Sequence, residues 1–318
     1  MTPDLKNVDK LITTGSVDQR ADALQKGKPA TITNVMSIDL EEWFQVTNFE
    51  KVINRSDWER YPLRASNVMS ILLDIFAEHN VRATFFTLGW VAQRYPKLIR
   101  RIHQAGHEIA SHGYDHRLVT TMTPSEFRAQ LLQSKDILEQ ILSSAVNGYR
   151  APSYSFCNDT YWVVDELLEA GFLFDSSIFP FGPRRHPKLC VSRFPCLLPG
   201  KKGDLAEYPL STLDWGGLNV PIAGGGYFRL LPYNIIWMGI RRLNYQRKAA
   251  IMYFHPWEFD PGQPRVTQAS WLSKFRHYNN LDVNLSKFQR LIKDFRFASF
   301  KNVFWNKEKG KYDIQSQI

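Results

Sequence analysis

Three carboxylates stand among apolar residues in the octapeptide SIDLEEWF, residues 37–44. Such carboxylates are costly to bury unless a cation holds them. In an extended strand, Asp39 and Glu41 face one side while Glu42 faces the other. Two carboxylates directed at one place repel each other, but a divalent cation can bind one as a ligand and leave the other as a base beside a water. The octapeptide therefore predicts one metal ligand and one neighbouring base, and a solvated acidic loop is the alternative.

A second candidate for metal binding is the hexapeptide SHGYDH, in which His112 and His116 are four residues apart. On a helical turn this spacing puts both imidazoles on one face, where they can hold one metal ion. Motifs this short also arise by chance, so two structural histidines are the alternative. Together with one carboxylate and a water, the two histidines would complete an open zinc site.

The elements that must position these residues alternate along the chain. Short β-branched or aromatic runs are separated by segments of helical periodicity, which favours parallel βαβ units. The polar candidates each follow a predicted strand: Asp39, Glu41, His112, His116, Arg150 and His255. In a parallel α/β barrel the carboxyl ends of the strands share one rim, where barrel enzymes place their chemistry. Residues that are distant in sequence can therefore meet there.

Two helices are defined clearly enough to predict which side chains they bury. The first is capped by Thr123, with Pro124 in its first turn and Glu126 completing a capping box. Its inward face is predicted to consist of Phe127, Leu131, Ser134, Leu138 and Leu142. The second runs from Ser66 and closes at Asn80. Its inward face is predicted to consist of Val68, Ile71, Leu72, Ile75 and Phe76.

Composition limits the class of protein. A chain of 318 residues with 44% hydrophobic residues can bury a large core, and single-domain α/β barrels reach this size. The net charge of +9 comes from scattered basic residues, so a nucleic-acid partner is not predicted. An anionic glycan, a phosphate-bearing lipid carrier or an anionic membrane would suit this surface equally well.

The N-terminal residues 1–30 contain no aromatic residue and predict a flexible polar lead-in. They lack the apolar core and cleavage pattern of a secretory signal, and no later segment has the roughly 18 to 20 consecutive apolar residues that cross a bilayer. The cysteines, Cys157, Cys190 and Cys196, match no zinc or redox spacing and predict free thiols in a reducing compartment. The sequence therefore predicts a soluble, cytoplasmic protein.

Two later segments leave alternatives open. The glycines of AGGGYFRLLPY, residues 223–233, permit a close backbone approach or a positive φ but lack the spacing of a dinucleotide site. We predict a loop that lines a binding groove, with Tyr227 and Phe228 as sugar-stacking faces, and a tight structural turn is the alternative. Residues 232–248 join an apolar stretch to basic residues and predict either contact with an anionic membrane surface or an ordinary barrel helix with a charged outer face.

Four segments, SIDLE, SHGYDH, RAPSY and YFHP, resemble in this order the motifs of the polysaccharide deacetylases, the chitin-deacetylase-like group of carbohydrate esterase family four. FDSSIFP and AGGGYFRLLPY resemble the bacterial branch found with exopolysaccharide synthesis and exosortase systems. The resemblance implies an α/β fold, a distorted (β/α) barrel of about seven parallel strands with a C-terminal extension. On this basis the barrel and its extension span residues 31–306, and residues 307–318 form a tail.

The resemblance also implies roles for individual residues. Asp39 matches the base that takes a proton from the attacking water, and Arg150 matches the arginine that pairs with this base and keeps it ionised. His112 and His116 match the histidine ligands of one divalent metal ion, with zinc the leading candidate among several metals that such a site accepts. His255 matches the acid that protonates the departing amine.

Two positions depart from the pattern of the family. Glu41 stands where the metal ligand is usually an aspartate. Ser153 stands where the third motif usually has an aromatic residue, and Tyr154 follows it. A backbone N–H near Ser153 would hold the oxyanion of the intermediate, so both residues are predicted to contact the substrate.

A carboxylate that tunes the acid histidine is also expected in this family. Asp214 and Trp215 resemble the aspartate–tryptophan pair that precedes the final strand, and Trp215 would then contact the saccharide. Asp175 is the rival candidate, although a turn residue is an equally good interpretation of it.

These patterns predict a metal-dependent hydrolase that removes N-acetyl groups from an amino-sugar-containing saccharide, free or lipid-linked, in bacterial exopolysaccharide biosynthesis. A catalytically inactive glycan-binding barrel and a metal amidohydrolase that acts on a small non-sugar amide are the rivals. The presence of both Asp39 and His255 argues against the inactive barrel, since a binding module need not keep an acid and a base.

Overall fold

The computed structural model of the protein describes residues 32–181 and 192–314. Predictions that concern residues 1–30, Cys190 and residues 315–318 lie outside the described residues. Within the described ranges, neither Cys157 nor Cys196 takes part in a disulfide bond. No helix in these ranges combines the length and the apolar character that crossing a bilayer requires.

Most strands of the described chain belong to one sheet. The strands are β1 (Asn34–Leu40), β2 (Thr84–Thr87), β3 (Glu108–Ser111), β4 (Gly148–Tyr149), β5 (Phe174–Asp175), β6 (Cys196–Gly200), β7 (Gly203–Glu207), β8 (Thr212–Trp215), β9 (Leu218–Pro221), β10 (Ile251–Phe254), β11 (Phe297–Ala298), β12 (Trp305–Asn306) and β13 (Lys311–Tyr312). The order in the large sheet is β10-β1-β2-β3-β4-β5-β7-β6, and β11 also pairs with β1. Pairing is parallel from β10 through β7 and antiparallel between β7 and β6.

The large sheet curves into a distorted (β/α) barrel, which confirms the predicted fold class. Ser211, which follows β7, donates its backbone N–H to the carbonyl of Ile251 in β10, and its hydroxyl accepts from the N–H of Ile251. These two bonds join the ends of the parallel run without a full strand pair, so the barrel closes irregularly. The prediction of parallel βαβ units is confirmed with it.

Helices cover the sheet between the strands. They are α1 (Ala65–Glu78), α2 (Gly89–Arg94), α3 (Pro96–Gln104), α4 (Pro124–Leu142), α5 (Val163–Glu169), α6 (Gly225–Leu230), α7 (Tyr233–Tyr245), α8 (Trp271–Tyr278), α9 (Leu281–Asp294) and α10 (Phe300–Phe304). β1 lies at the centre of this arrangement, and all seven of its residues are buried. A strand with neighbours on both edges and packing on both faces excludes water from the polar side chains that it carries.

The predicted first helix is confirmed as α4. The hydroxyl of Thr123 accepts from the N–H of Glu126, whose carboxylate accepts from the N–H of Thr123, so the capping box is present. Its predicted inward residues Phe127, Leu131, Ser134 and Leu138 are buried, and Leu142 is half-buried.

The predicted second helix is α1, and its end at Asn80 is confirmed by a positive φ of 52° there. One inward residue was wrong, because Ile71 is 46% exposed. At 3.6 residues per turn, Ile71 lies about a third of a turn from the centre of the buried stripe.

The start of α1 also binds the third carboxylate of the octapeptide, Glu42. This carboxylate accepts hydrogen bonds from the backbone N–H groups of Arg64 and Ala65 and from the hydroxyl of Tyr95.

The C-terminal part of the described chain packs on the barrel. Glu108 in β3 accepts hydrogen bonds from the hydroxyls of Thr84 and Tyr312 and from the backbone N–H of Lys301. Strands β12 and β13 pair across the boundary predicted at residue 306, and Tyr312 is buried. The buried Tyr312 ring and its hydrogen bond to Glu108 therefore hold residues on both sides of that boundary against the barrel.

Helix α7 covers most of the segment for which a membrane contact was considered. Its apolar residues Ile236, Gly239, Ile240 and Leu243 are buried, whereas Arg241 and Arg242 are exposed. The apolar face is already used inside the protein, so the structure favours the alternative, an ordinary barrel helix with a charged outer face.

Candidate metal centre and active site

The carboxyl end of β1 carries a buried ion pair. Arg150, which follows β4, donates from Nη1 to Asp39 Oδ1 at 2.6 Å, and neither side chain is more than 3% exposed. The same guanidinium donates to the hydroxyl of Ser37 and to the carbonyl and hydroxyl of Ser176, and it lies 3.9 Å from the ring centroid of Phe86. These contacts leave the arginine little freedom, so the position of the Asp39 carboxylate is fixed with it.

Beside this pair, three side chains converge as a metal-binding group would. One potential ligand atom each of Glu41, His112 and His116 lies within 4.8 Å of the others, and all three residues are buried. His112 Nδ1 lies 2.8 Å from the carbonyl of Arg150. Because that carbonyl can only accept, Nδ1 carries the proton and Nε2 is left as the ligand atom.

The turn that brings the two histidines together was predicted incorrectly. Residues 112–118 form an irregular loop rather than a helical turn, and His116 has a positive φ of 57°. Ser134 of α4 donates to the carbonyl of Gly113, which also accepts from the backbone N–H of Gly89, and Arg55 donates to the carbonyl of His116. The loop is thus held from three sides, so the histidines meet although no helix places them.

Electrostatics favours the metal-binding forms of Glu41 and His112. Burial alone would raise the pKa of Glu41, but the charges and hydrogen bond of His116, together with His255 and His112, lower it to about 2. Burial lowers the pKa of His112 to about 4. An ionised carboxylate and a neutral imidazole are the forms that bind a metal.

The arrangement fits a divalent cation. Glu41 Oε2 is buried, lies 3.0 Å from His116 Nε2 and has no other partner among the described residues. The two atoms are close enough to hydrogen-bond to each other, and the same oxygen and nitrogen are the atoms that a cation held by these residues would bind. Two imidazoles and one carboxylate also form the donor set of open zinc sites, in which further positions remain for water and substrate.

His255 follows β10 and completes the group of predicted catalytic residues. Its Nε2 lies 3.7 Å from Glu41 Oε1, and its Nδ1 lies 3.4 Å from Glu258 Oε2. Burial disfavours the charged imidazole, but the carboxylate of Glu258, with those of Glu41 and Asp39, raises the pKa of His255 to about 9. The side chain is 17% exposed, more than any of the three ligands, so it borders the opening to solvent and can give a proton to a bound group.

The carboxylate beside His255 is therefore that of Glu258, and neither predicted candidate lies there. Asp214 is in the β8–β9 hairpin, where its carboxylate accepts from the N–H of Gly217, and the adjacent Trp215 is 60% exposed. Asp175 is buried, accepts from the hydroxyl of Ser177 and is hydrogen-bonded to Glu207. The prediction that Asp214 tunes His255 is therefore wrong, whereas the saccharide contact of the exposed Trp215 stays a prediction.

Ser153 and Tyr154 occupy a strained turn after Arg150. Both have a positive φ, 51° and 55°, which non-glycine residues rarely adopt. The Ser153 hydroxyl is hydrogen-bonded to that of Thr47, and the ring of Tyr154 is buried against Tyr253 and Phe179. Strain of this kind tends to persist at functional sites. The geometry agrees with an edge of the site at Ser153, whereas Tyr154 is a packing residue in this structure.

The glycines at 224–226 let the backbone approach the site closely. Gly224 has a φ of 94°, and a Cβ there would come within 2.6 Å of the Tyr253 ring. A Cβ on Gly225 would overlap the carboxylate of Glu258. The run opens α6, and Tyr227 packs against Phe179 and Phe181. These contacts support the structural turn, which leaves room for Glu258. Phe228 is fully buried and does not present a sugar-stacking face, whereas the predicted saccharide contact of Tyr227 stays a prediction.

Gly225→Ala is expected to destabilise the protein by about 1–3 kcal/mol, the usual cost of forcing a methyl group into a packed interior. Gly226→Ala is the matched control, because a Cβ there meets no atom within 4 Å. Its effect should stay within roughly 0.5 kcal/mol. Urea unfolding of both variants measures the difference, and equal stabilities would contradict the assigned contact.

The site contains two residues that sequence reasoning missed, Trp257 and Glu258. The indole Nε1 of Trp257 donates to Glu41 Oε1 at 3.0 Å. A sequence signal existed for Glu258, because it follows His255 by three residues and forms a capping box with the backbone N–H of His255. For Trp257 no such signal exists, since an indole beside a histidine has many structural explanations.

Two segments of the chain match known family models. Residues 58–171 match the family model described as polysaccharide deacetylase, and residues 176–305 match a model described as a domain of unknown function, DUF3473. The first segment contains His112, His116 and Arg150, and the second contains His255 and Glu258. The residues of the candidate site are thus contributed by both segments and by β1, which precedes them.

Curated relatives match part of the chain. The chain is 36% identical over 81 residues, 26% of its length, to a peptidoglycan-N-acetylglucosamine deacetylase from Bacillus cereus. It is 33% identical over 107 residues, 34% of its length, to a peptidoglycan deacetylase from Helicobacter pylori. The alignments span 30% and 36% of those relatives, about a third of their length.

A solved structure extends the comparison to the fold. The crystal structure of a Mycobacterium smegmatis protein assigned to the polysaccharide deacetylases superposes with a TM-score of 0.52 at 21% identity, and the alignment covers 87% of this chain and 93% of that one. Likeness at this level of identity concerns the fold alone. The family model and the curated relatives thus show that part of the chain is similar to polysaccharide deacetylases, and the solved structure shows that the fold is shared.

Proposed function

We propose that the protein is a metal-dependent hydrolase that removes N-acetyl groups from amino-sugar-containing saccharides. The observation that carries this proposal is the convergence of a base, a set of metal ligands and an acid at one end of the barrel. The base is Asp39, the ligands are Glu41, His112 and His116, and the acid is His255. The named relatives, which are deacetylases of acetylated glycans, support the substrate class.

The residues of the chain divide the reaction between them. A cation held by Glu41, His112 and His116 would polarise the acetyl carbonyl and the attacking water. Asp39 takes the proton of the water as its oxygen bonds to the carbonyl carbon, and Arg150 keeps the carboxylate in place. His255 gives its proton to the sugar nitrogen as the carbon–nitrogen bond breaks. Acetic acid and a free amine are the products of this step, and a proton transfer from Asp39 to His255 through solvent then restores both residues.

The first test is metal content per chain, followed by acetate release from chitooligosaccharides and peptidoglycan fragments. We expect about one divalent ion per chain, as the single cluster predicts, and acetate release that depends on it. A panel of small N-acetylated amides serves as the comparison. Activity on the amides alone would favour the amidohydrolase, and metal binding without acetate release from any substrate would favour a glycan-binding barrel. Absence of specific metal after reconstitution would end the proposal.

We further propose zinc as the metal, exopolysaccharide assembly as the process and a free or lipid-linked acetylated saccharide as the substrate, handled in the cytoplasm. The similarity of FDSSIFP and AGGGYFRLLPY to the exopolysaccharide-associated branch supports the process. The donor set of two imidazoles and a carboxylate supports zinc. Contact with the inner membrane would rest on exposed basic side chains such as Arg241 and Arg242, because the apolar face of α7 is buried.

A further inference from the structure

Trp257 connects the last motif of the chain to the first. Its indole N–H donates to Glu41 Oε1 at 3.0 Å, and both side chains are buried. The other oxygen of that carboxylate, Oε2, is the one that lies 3.0 Å from His116 Nε2. The two oxygens of Glu41 therefore have different partners: Oε1 accepts from the indole, and Oε2 faces the metal position.

The indole itself is held on both faces. It stacks on His255 with ring centroids 5.0 Å apart and on His277 with centroids 4.1 Å apart and an interplanar angle of 13°. Gln263 donates to the backbone carbonyl of Trp257, and its amide oxygen lies 2.7 Å from His277 Nε2. Arg229 donates to the backbone carbonyl of His277. A ring packed in this way cannot rotate, so the direction of its N–H is fixed before any metal binds.

A fixed donor matters more for Glu41 than for the aspartate usual at this position. Glutamate has one more side-chain torsion, and its terminal torsion is broad, so an unsupported carboxylate would sample many orientations. Hydrogen bonds to metal-ligating groups fix their orientation, and losing one typically weakens metal binding by about 10- to 100-fold. Glu41 needs such support because the strand ends at Leu40 and the residue begins a loop.

We propose that Trp257 is a positioning residue for the metal ligand Glu41, and that its indole N–H sets the affinity of the site for the ion. The inference rests on the metal centre of the proposed function. It also assigns a task to the segment that matches the domain of unknown function, since Trp257, His277 and Gln263 all lie within residues 176–305. That segment supports a ligand supplied by β1, in addition to carrying His255.

The test is the metal affinity of Trp257→Phe, measured by competition with a chromophoric chelator using zinc alone. Phenylalanine keeps an aromatic ring in the stack and removes the donor. We expect affinity to fall about 10- to 100-fold. Trp43→Phe is the matched control, because Trp43 is equally buried and its Nε1 also donates at 3.0 Å, but to the carbonyl of Pro62. Its metal affinity should stay within about threefold of the parent, because Trp43 donates to no metal ligand, whereas losing a hydrogen bond to a ligand costs about 10-fold or more.

A double-mutant cycle separates positioning from general damage. In a Glu41→Ala background, in which the two histidines keep only a weak affinity that must be titrated at high zinc concentration, Trp257→Phe should change this residual affinity less than about threefold, because the carboxylate that the indole orients is gone. If Trp257→Phe does not fold, benzothienylalanine at position 257 removes the N–H while keeping the shape of the side chain. An unchanged affinity in the folded single variant, or an equal loss with and without Glu41, would overturn the inference. A parent protein without specific metal would instead refute the proposed function.

Discussion

Asp39→Asn is expected to lower kcat for deacetylation by at least about two orders of magnitude, the usual contribution of a general base. Asparagine cannot take a proton from water, but its amide oxygen can still accept from Arg150, so the ion-pair geometry is replaced by a neutral hydrogen bond. The metal ligands are untouched, and metal content should remain at the parental level. Steady-state acetate release and metal analysis on the same preparation provide both readouts.

Asp260→Asn is the matched control for this prediction. Asp260 also pairs with an arginine, Arg64, and is similarly buried, but it makes no contact with the three ligands in the described structure. It should lose no more than a few-fold in kcat. Undiminished activity of Asp39→Asn would remove Asp39 from the mechanism, and loss of metal in that variant would mean that the residue acts as a ligand instead.

His112→Ala and Glu41→Ala are each expected to deplete the protein of metal and to abolish measurable turnover. Each removes one donor from a set of three, and the two remaining protein ligands are too few for a stable site. Metal per chain after dialysis against a weak chelator is the readout, with His116→Ala expected to behave in the same way. Retention of full metal content by any of the three variants would exclude that residue from the ligand set.

His107→Ala controls for the loss of a buried imidazole. His107 is 4% exposed, accepts from the N–H of Ala83 and packs against Phe76 and Phe85, outside the metal-binding group. The variant should be less stable, because a core side chain and a hydrogen bond are removed, yet it should keep its metal. Metal loss in His107→Ala would show that depletion in the ligand variants reflects unfolding rather than ligation.

Sequence reasoning reached the fold and the centre of the site because both depend on local patterns. The alternation of strands and helices predicts parallel βαβ units, and the resemblance to the deacetylases implies the barrel. Thr123 and Glu126 identify the capping box of α4. Asp39 and Arg150 meet because the carboxyl ends of parallel strands share one rim, a rule that needs no side-chain detail. The same rule brings His112 and His255 to that rim.

The surroundings of the site could not be predicted, because they depend on which groups become neighbours after the barrel closes. The carboxylate of Glu258 can lie beside His255 because Gly225 has no Cβ, which would overlap this carboxylate. Asp214 precedes a tryptophan as expected from the family pattern, but both residues lie in the β8–β9 hairpin, away from His255. The spacing of His112 and His116 did not predict the conformation of the loop at 112–118. Hydrogen bonds from α4 and Arg55 hold this loop so that the histidines converge without a helical turn.

The position of β1 has a consequence for how the protein is made. β1 is the first strand of the described chain, but it pairs with β10 and β11, which are among the last. During synthesis the segment that carries Asp39 and Glu41 therefore leaves the ribosome long before its partners on that edge exist. Contacts of such high sequence separation form slowly, and unpaired strand edges promote aggregation. We therefore expect the native fold to form only after the complete chain has been released from the ribosome, and not while the first half of the barrel is being synthesised. Chaperones are expected to stay bound to the chain until its release.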